Sequence, residues 1–225
     1  MLISSDAKIL EVDPVSGLHS EDVMDFWRPN HRKTAIVDGK FSAQKYLQSM
    51  AHAWNDYQEN GGRNFEEFAQ FCYHLPFSKM GEKAHRHLSK INSSPMAEKS
   101  YLPGMELNRV IGNSYSASLY ISLISALTRA EGDLSDKPIA LFSYGSGCVG
   151  ELLSGVVQPN YLDYITEYDV MLEEREALDY ETYLEYWHAP EPKDGSSVDI
   201  APVGDSRYRL TGIYDDKRQY EAQEQ

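Results

Sequence analysis

Five residues have the types and spacing to do chemistry together: His74, Lys79, Lys83, Asn113 and Ser146. His74 lies near the end of the apolar run Phe71-Cys72-Tyr73-His74-Leu75, which Pro76 stops, because proline has no N–H for a sheet ladder. An imidazole at a strand end, titrating near neutrality, can donate to a carbonyl oxygen on which negative charge develops. Ser78 is expected to cap the next helix. The spacing of four between Lys79 and Lys83 puts both ammonium groups on one helix face, where they can meet a phosphorylated carrier. Asn113 follows Gly112 inside a helical pattern and precedes the small residues Ser116-Ala117-Ser118. Ser146 places a hydroxyl in the turn Tyr144-Gly145-Ser146-Gly147, whose glycines let backbone come close to a ligand. Singly, each has a commoner use: a satisfied histidine, a solvated lysine pair, a Gly-Asn cap, a tight hairpin.

The elements that must position these groups are legible in outline. Lys8–Val12 alternates as a strand, with Met1-Leu2-Ile3 already strand-like. Asp25-Phe26-Trp27-Arg28-Pro29 reads as an aromatic loop and Val37-Asp38-Gly39 as a turn. Ser42 is expected to cap a helix bearing Tyr46, Leu47, Met50, Ala51, Trp54 and Tyr57 at helical spacing, ended by Gly61-Gly62. Asn64 caps a short helix, residues 71–75 form a buried strand, and the helix after it carries Met80, Ala84, Leu88 and Ile91 on one side. A helical stretch from Met105 breaks at Gly112-Asn113 and resumes from Ser116 to Ala130, so apolar that most of its surface must be buried. Strand Pro138–Phe142, a turn, and strand Cys148–Val157 follow. Residues 161–188 read as two acidic helices, Pro190–Gly195 as a linker and Arg207–Tyr214 as a last strand. Together these make an α/β layered domain. Gly145-Ser146-Gly147-Cys148-Val149-Gly150 has dinucleotide-type glycine spacing, but it joins two strands, so no helix N-terminus receives a phosphate.

The 225 residues carry 35 acidic and 21 basic side chains, a net charge of −14. That balance argues against nucleic acid and anionic membrane as partners. An anionic substrate then needs a local basic patch, for which Lys79–Arg86 is the candidate, with His85 and His87 as possible extensions. A zinc site from His85 and His87 is not expected, since i, i+2 points them apart on a helix. Cys72 and Cys148 both sit in apolar stretches and read as buried reduced thiols. The start lacks the basic and apolar regions of a signal peptide, so a cytoplasmic protein is expected.

Three segments, Tyr73–Lys83, Gly112–Ser118 and Phe142–Gly147, together with Asp25–Pro29 and Val37–Gly39, resemble 3-hydroxy-3-methylglutaryl-CoA synthase of the bacterial type, in the thiolase superfamily. The resemblance runs over most of the chain. It implies a five-layer αβαβα sandwich of two similar halves, of which this chain is the C-terminal half. Residues 1–12 would be the last strand of the N-terminal half, and residues 13–225 the C-terminal half. The activity implied is condensation of acetyl-CoA with acetoacetyl-CoA to 3-hydroxy-3-methylglutaryl-CoA, on the mevalonate route to isoprenoids. Catalytic roles fall on His74, which would bond the thioester carbonyl, and Asn113, which would donate to the same oxygen. Lys79 and Lys83 would contact CoA, and Ser146 the carboxylate end of the product. The nucleophilic Cys and general-base Glu belong to the N-terminal half. No metal or redox cofactor is implied; CoA thioesters are substrates. The implied partners are the N-terminal half and, once complete, a second copy in a homodimer. The alternatives are a ketoacyl-synthase-type condensing enzyme, sharing a His and a Gly-Asn, and a non-catalytic CoA-binding remnant. The Ser-Tyr-Gly-Ser-Gly hairpin and the Asp-Phe-Trp-Arg-Pro loop favour the synthase. Alone, the chain is expected to associate, because the apolar helix from Ser116 would lose its cover.

Overall fold

A computed structural model describes residues 3–165, 168–189, 192, 194–201 and 206–222. It divides into two units, residues 1–166 and 167–225. In the first, strand β1 runs over Leu10–Ser20, so it crosses residue 12 and ends well past the expected Val12; Met1 and Leu2 lie outside the described residues. Its register shifts between Val12 and Ser16, where Pro14 sits, as a residue without a ladder donor requires. β2 (Phe26–Trp27) and β3 (Ile36–Val37) pair antiparallel, so the aromatic loop is one side of a miniature hairpin.

α1 (Gly39–Glu59) starts three residues before the expected Ser42 cap. Asp38 is the cap instead, its carboxylate accepting the Phe41 N–H at 3.1 Å. Ser42 is unavailable for that role because its hydroxyl donates to Asp25 at 2.9 Å. α1 buries Tyr46, Met50, Ala53, Trp54 and Tyr57, the stripe its spacing requires. After the short 3-10 turn Phe65–Glu67 comes β4 (Gln70–Tyr73), buried at every residue. α2 (Met80–Ile91) is entered through a turn in which the Met80 N–H bonds the Phe77 carbonyl; Lys79 stands at the cap position, and Ser78 does not cap. α3 (Glu106–Ile111) and α4 (Ala117–Arg129) flank the Gly112-Asn113 break, and β5 (Pro138–Gly145) and β6 (Val149–Val157) form a hairpin.

The sheet order is β1-β6-β5-β4, with β4 and β5 parallel and the other pairs antiparallel. Side chains alternate between two cores. Phe71, Tyr73, Ala140 and Phe142 enter the core shared with α1 and α2, while Cys72, Ile139 and Leu141 enter the one shared with α4. Strands buried on both faces read as continuous apolar runs, which is why β4 and β5 were visible in the sequence. At Gly17 an added Cβ would lie 2.1 Å from the Ala53 carbonyl oxygen, so glycine lets α1 lie directly on β1.

α4 buries Leu119, Leu123, Ala126 and Leu127, together with Ser118, Ser122 and Ser125, while Tyr120 is exposed and Ile121 and Ile124 are half-buried. Further apolar exposure lies on the sheet. Gly17 and Gly150 face α1, so Leu18 and Val149 point from the opposite face, and they are 56% and 55% exposed.

The second unit holds α5 (Tyr168–Glu173), α6 (Tyr180–Trp187) and a three-stranded sheet of β7 (Val198–Asp199), β8 (Tyr208–Tyr214) and β9 (Lys217–Ala222) in that order. β8 is the expected last strand, and β9 pairs with it antiparallel beyond a turn at Asp215-Asp216. Of the expected linker, Pro190, Glu191 and Lys193 lie outside the described residues. No helix among the described residues is long and apolar enough to cross a membrane.

Candidate active site

His74 follows β4 directly. Its N–H donates to the Phe142 carbonyl at 2.8 Å and its carbonyl accepts the Tyr46 hydroxyl at 2.8 Å, so its backbone is fixed from β5 and from α1. Nδ1 lies 2.9 Å from Ser118 Oγ, at the start of α4. Burial holds the imidazole pKa below its usual 6.5, favouring the neutral ring. Nε2 has no hydrogen-bond partner among the described residues.

Asn113 is exposed in the break between α3 and α4. Its Oδ1 accepts the Tyr115 N–H at 2.9 Å, an Asx turn, and Tyr115 takes a positive φ of 52°. The carbonyl end of the amide is thus held and the NH2 end carries no partner among the described residues. His74 and Asn113 are both tied to the start of α4, one through Ser118 and the other five residues upstream of it. The α4 start is itself held by Asn108 Nδ2, which donates to the Ser118 carbonyl at 3.2 Å.

Ser146 sits in the β5–β6 turn, beside a cleft of about 410 Å3 whose wall includes Ser20, Asp22 and Cys148. What shapes the turn is Asp25, fully buried. Its carboxylate accepts the Tyr144 hydroxyl (2.9 Å), the Ser42 hydroxyl (2.9 Å) and the Gly147 N–H (3.0 Å). Burial pushes the Asp25 carboxyl up, but hydrogen bonding to the carboxylate outweighs it and leaves the pKa below the usual 3.8. Tyr144 also lies 6.5 Å from the His74 ring, centroid to centroid. Asp25 was visible in the sequence only as the head of an aromatic loop, and nothing local marks it as the organiser of a hairpin 119 residues away.

Lys79, at the α2 cap position, and Lys83, on its first turn, are both exposed, and the Lys83 ammonium lies 5.2 Å from the centre of the Phe77 ring. The expected extension of this patch is smaller than its sequence suggests. Arg86 pairs with Glu82 at 2.5 Å. His85 is fully buried, bonded to the Tyr73 hydroxyl (2.9 Å) and Ser100 (3.2 Å) and stacked on Tyr101. Burial pushes its pKa down to about 4, so it adds no charge. The rings of Phe65, Phe71, Tyr73 and Tyr101 pack around this imidazole and hold it away from solvent.

Both thiols are buried and free. Burial pushes Cys72 up to about 12; burial and then the charge of Glu21 raise Cys148. His19, Glu21 and Cys148 offer ligand atoms within 4.8 Å of one another, but the Glu21 carboxylate is already paired with the Lys45 ammonium at 2.6 Å.

The helix–sheet–helix layering, the histidine at the end of β4 and the glycine-rich hairpin on β5 and β6 are the context for a family assignment. A model of the hydroxymethylglutaryl-coenzyme A synthase C-terminal family matches residues 10–99 and 85–214. The chain belongs to this family. The hydroxymethylglutaryl-CoA synthase of Enterococcus faecalis is 35% identical over 170 residues, covering 73% of this chain and 44% of the relative. The polyketide biosynthesis 3-hydroxy-3-methylglutaryl-ACP synthase PksG of Bacillus subtilis is 31% identical, covering 71% and 40%. A solved HMG-CoA synthase in complex with CoA superposes with a TM-score of 0.86 at 28% identity, covering 96% of this chain and 57% of that one. MvaS in complex with 3-hydroxy-3-methylglutaryl coenzyme A superposes at 0.79 and 32% identity, covering 96% and 58%. The chain therefore spans about half the length of the relatives it matches. Its fold is the α/β fold of the C-terminal part of these thiolase-like synthases, as the resemblance implied.

Proposed function

We propose that this chain supplies the C-terminal half of a hydroxymethylglutaryl-CoA synthase, which condenses acetyl-CoA with acetoacetyl-CoA in the mevalonate route. The nucleophilic Cys and general-base Glu come from an N-terminal half, and the completed enzyme is a cytoplasmic homodimer needing no metal or redox cofactor. Nε2 of His74 and the amide of Asn113 donate to the acyl carbonyl of the second substrate. They stabilise the oxyanion that forms when the acetyl carbon adds, a role in which one donor is worth about a hundred- to a thousand-fold in rate. Lys79 and Lys83 receive the CoA phosphates, and Ser146 the carboxylate end of the product.

One observation carries this reading: in both His74 and Asn113 the fold ties down one polar end and leaves the other without a protein partner among the described residues. Preorganised donors of that kind cost no reorganisation at the moment of reaction. The test is complementation. The chain, mixed or co-expressed with a Cys-bearing N-terminal half, should consume acetoacetyl-CoA only when acetyl-CoA is present. Replacing both Lys79 and Lys83 by Ala should raise KM for acetoacetyl-CoA by about tenfold, the loss of roughly 1.4 kcal/mol of binding. A stable two-part assembly that acetylates its Cys yet never consumes acetoacetyl-CoA would sink the proposal.

A further inference from the structure

We infer that Ser118 is the positioning residue of His74, setting the imidazole in the tautomer that carries its proton on Nε2. Ser118 is fully buried on the first turn of α4. Its Oγ lies 3.1 Å from the Leu75 N and 2.9 Å from His74 Nδ1. The Leu75 amide can only donate, so it takes one lone pair of Oγ and fixes where the hydroxyl proton can point. Among the described residues, Nδ1 is the only acceptor within hydrogen-bond reach of that proton. If Nδ1 carried the proton instead, Oγ would receive two donors and its own proton would be buried without an acceptor, which disfavours that tautomer by on the order of ten- to a hundred-fold. The same α4 face repeats the device. Ser122 Oγ accepts the Tyr73 N–H at 3.3 Å, and Ser125 Oγ accepts the Leu107 N–H at 3.1 Å while donating to the Pro103 carbonyl at 2.5 Å. Only Ser118 hands its proton to a titratable ring. Because Leu75 and His74 are consecutive, the end of β4 and the orientation of the imidazole are set by one hydroxyl. The functional consequence rests on the proposed role of His74 as donor to the acyl carbonyl, since only the Nε2–H tautomer presents a proton on the nitrogen left free.

The experiment is long-range 1H–15N correlation on the 225-residue chain labelled with 15N-histidine near neutral pH, the His74 signals being assigned with His74→Gln. The wild type should show an unprotonated, hydrogen-bond-accepting Nδ1 and a protonated Nε2. Ser118→Thr, which keeps the hydroxyl, should retain that pattern, and Ser118→Ala should show mixed tautomers. In the complemented enzyme Ser118→Ala should lower the condensation rate by about ten- to a hundred-fold, with acetyl-enzyme formation unchanged and Ser118→Thr restoring most of the loss. A protonated Nδ1 in the wild type overturns the inference; if Ser118→Ala does not fold, the wild-type and Ser118→Thr spectra decide. An Nε2–H tautomer in a chain that fails to bind acetoacetyl-CoA would leave the inference standing and defeat the proposed function instead.

Discussion

The Tyr144 hydroxyl donates to Asp25 at 2.9 Å across 119 residues of sequence, and through that bond the β5–β6 hairpin is seated on the loop before β2. The same carboxylate takes the Gly147 N–H and the Ser42 hydroxyl, so one charge organises both ends of the turn that carries Ser146.

Asp25→Asn keeps the size but offers an NH2 where donors already converge. It should cost about 2–3 kcal/mol, as lost bonds to a buried charge do, read as a lower urea midpoint. The wild-type carboxyl titrates below its ordinary 3.8, so its contribution is present above that value and fades as pH falls through the folded pKa. Asp25→Asn should therefore be less sensitive to acid below about pH 4. Equal acid sensitivity in the two proteins would show that the carboxylate is not what the hairpin depends on.

His85 gives a second pH signature with the opposite charge logic. Its folded pKa lies near 4 against 6.5 for a free imidazole. The unfolded chain therefore binds the proton first, and stability is full above 6.5 and falls as pH drops toward 4. At 1.36 kcal/mol per pH unit of difference, the loss is roughly 3 kcal/mol. Urea midpoints measured from about pH 7.5 to 4.5 should decline accordingly, and His85→Gln should flatten the decline.

The chain alone should not condense acetyl-CoA with acetoacetyl-CoA, and labelled acetyl-CoA should leave no covalent label on it. Both its thiols are buried and held protonated, Cys72 up to about 12 and Cys148 above its usual range, and it is the thiolate that attacks. A stable acetyl group on Cys72 or Cys148 in a peptide map would overturn this.

In the complemented enzyme, His74→Ala should lower condensation by about a hundred-fold or more while acetyl-enzyme forms at nearly the wild-type rate. Single-turnover measurements separate the two steps. Equal loss in both would make His74 a structural residue of the β4 end.

Self-association of the isolated chain should run through the sheet face bearing Leu18 and Val149 rather than through α4, whose Leu119, Leu123, Ala126 and Leu127 are buried. Each exposed aliphatic side chain is worth roughly 1.5–3 kcal/mol on burial. Leu18→Lys with Val149→Lys should shift the chain toward monomer in sedimentation velocity, whereas Tyr120→Lys on α4 should not.

The sequence by itself determined the elements whose signals are local. The stripe Tyr46-Met50-Trp54-Tyr57 announced α1, the unbroken apolar runs announced β4 and β5, and Gly112-Asn113 announced the break before α4, because periodicity and backbone preference act over a few residues. It also brought His74, Asn113, Ser146 and the two lysines forward as candidates, through motifs shared with a family. The tertiary structure alone decided which neighbours those side chains have. Ser42 reads as a cap but is claimed by Asp25; His85 reads as part of a basic patch but is claimed by Tyr73 and Ser100; Ser118 reads as a small helix residue but holds His74. These outcomes depend on hydrogen bonds between residues 12 to 44 positions apart. A buried polar group must find its partner wherever the packing of helices on the sheet puts one, and no short-range pattern records that.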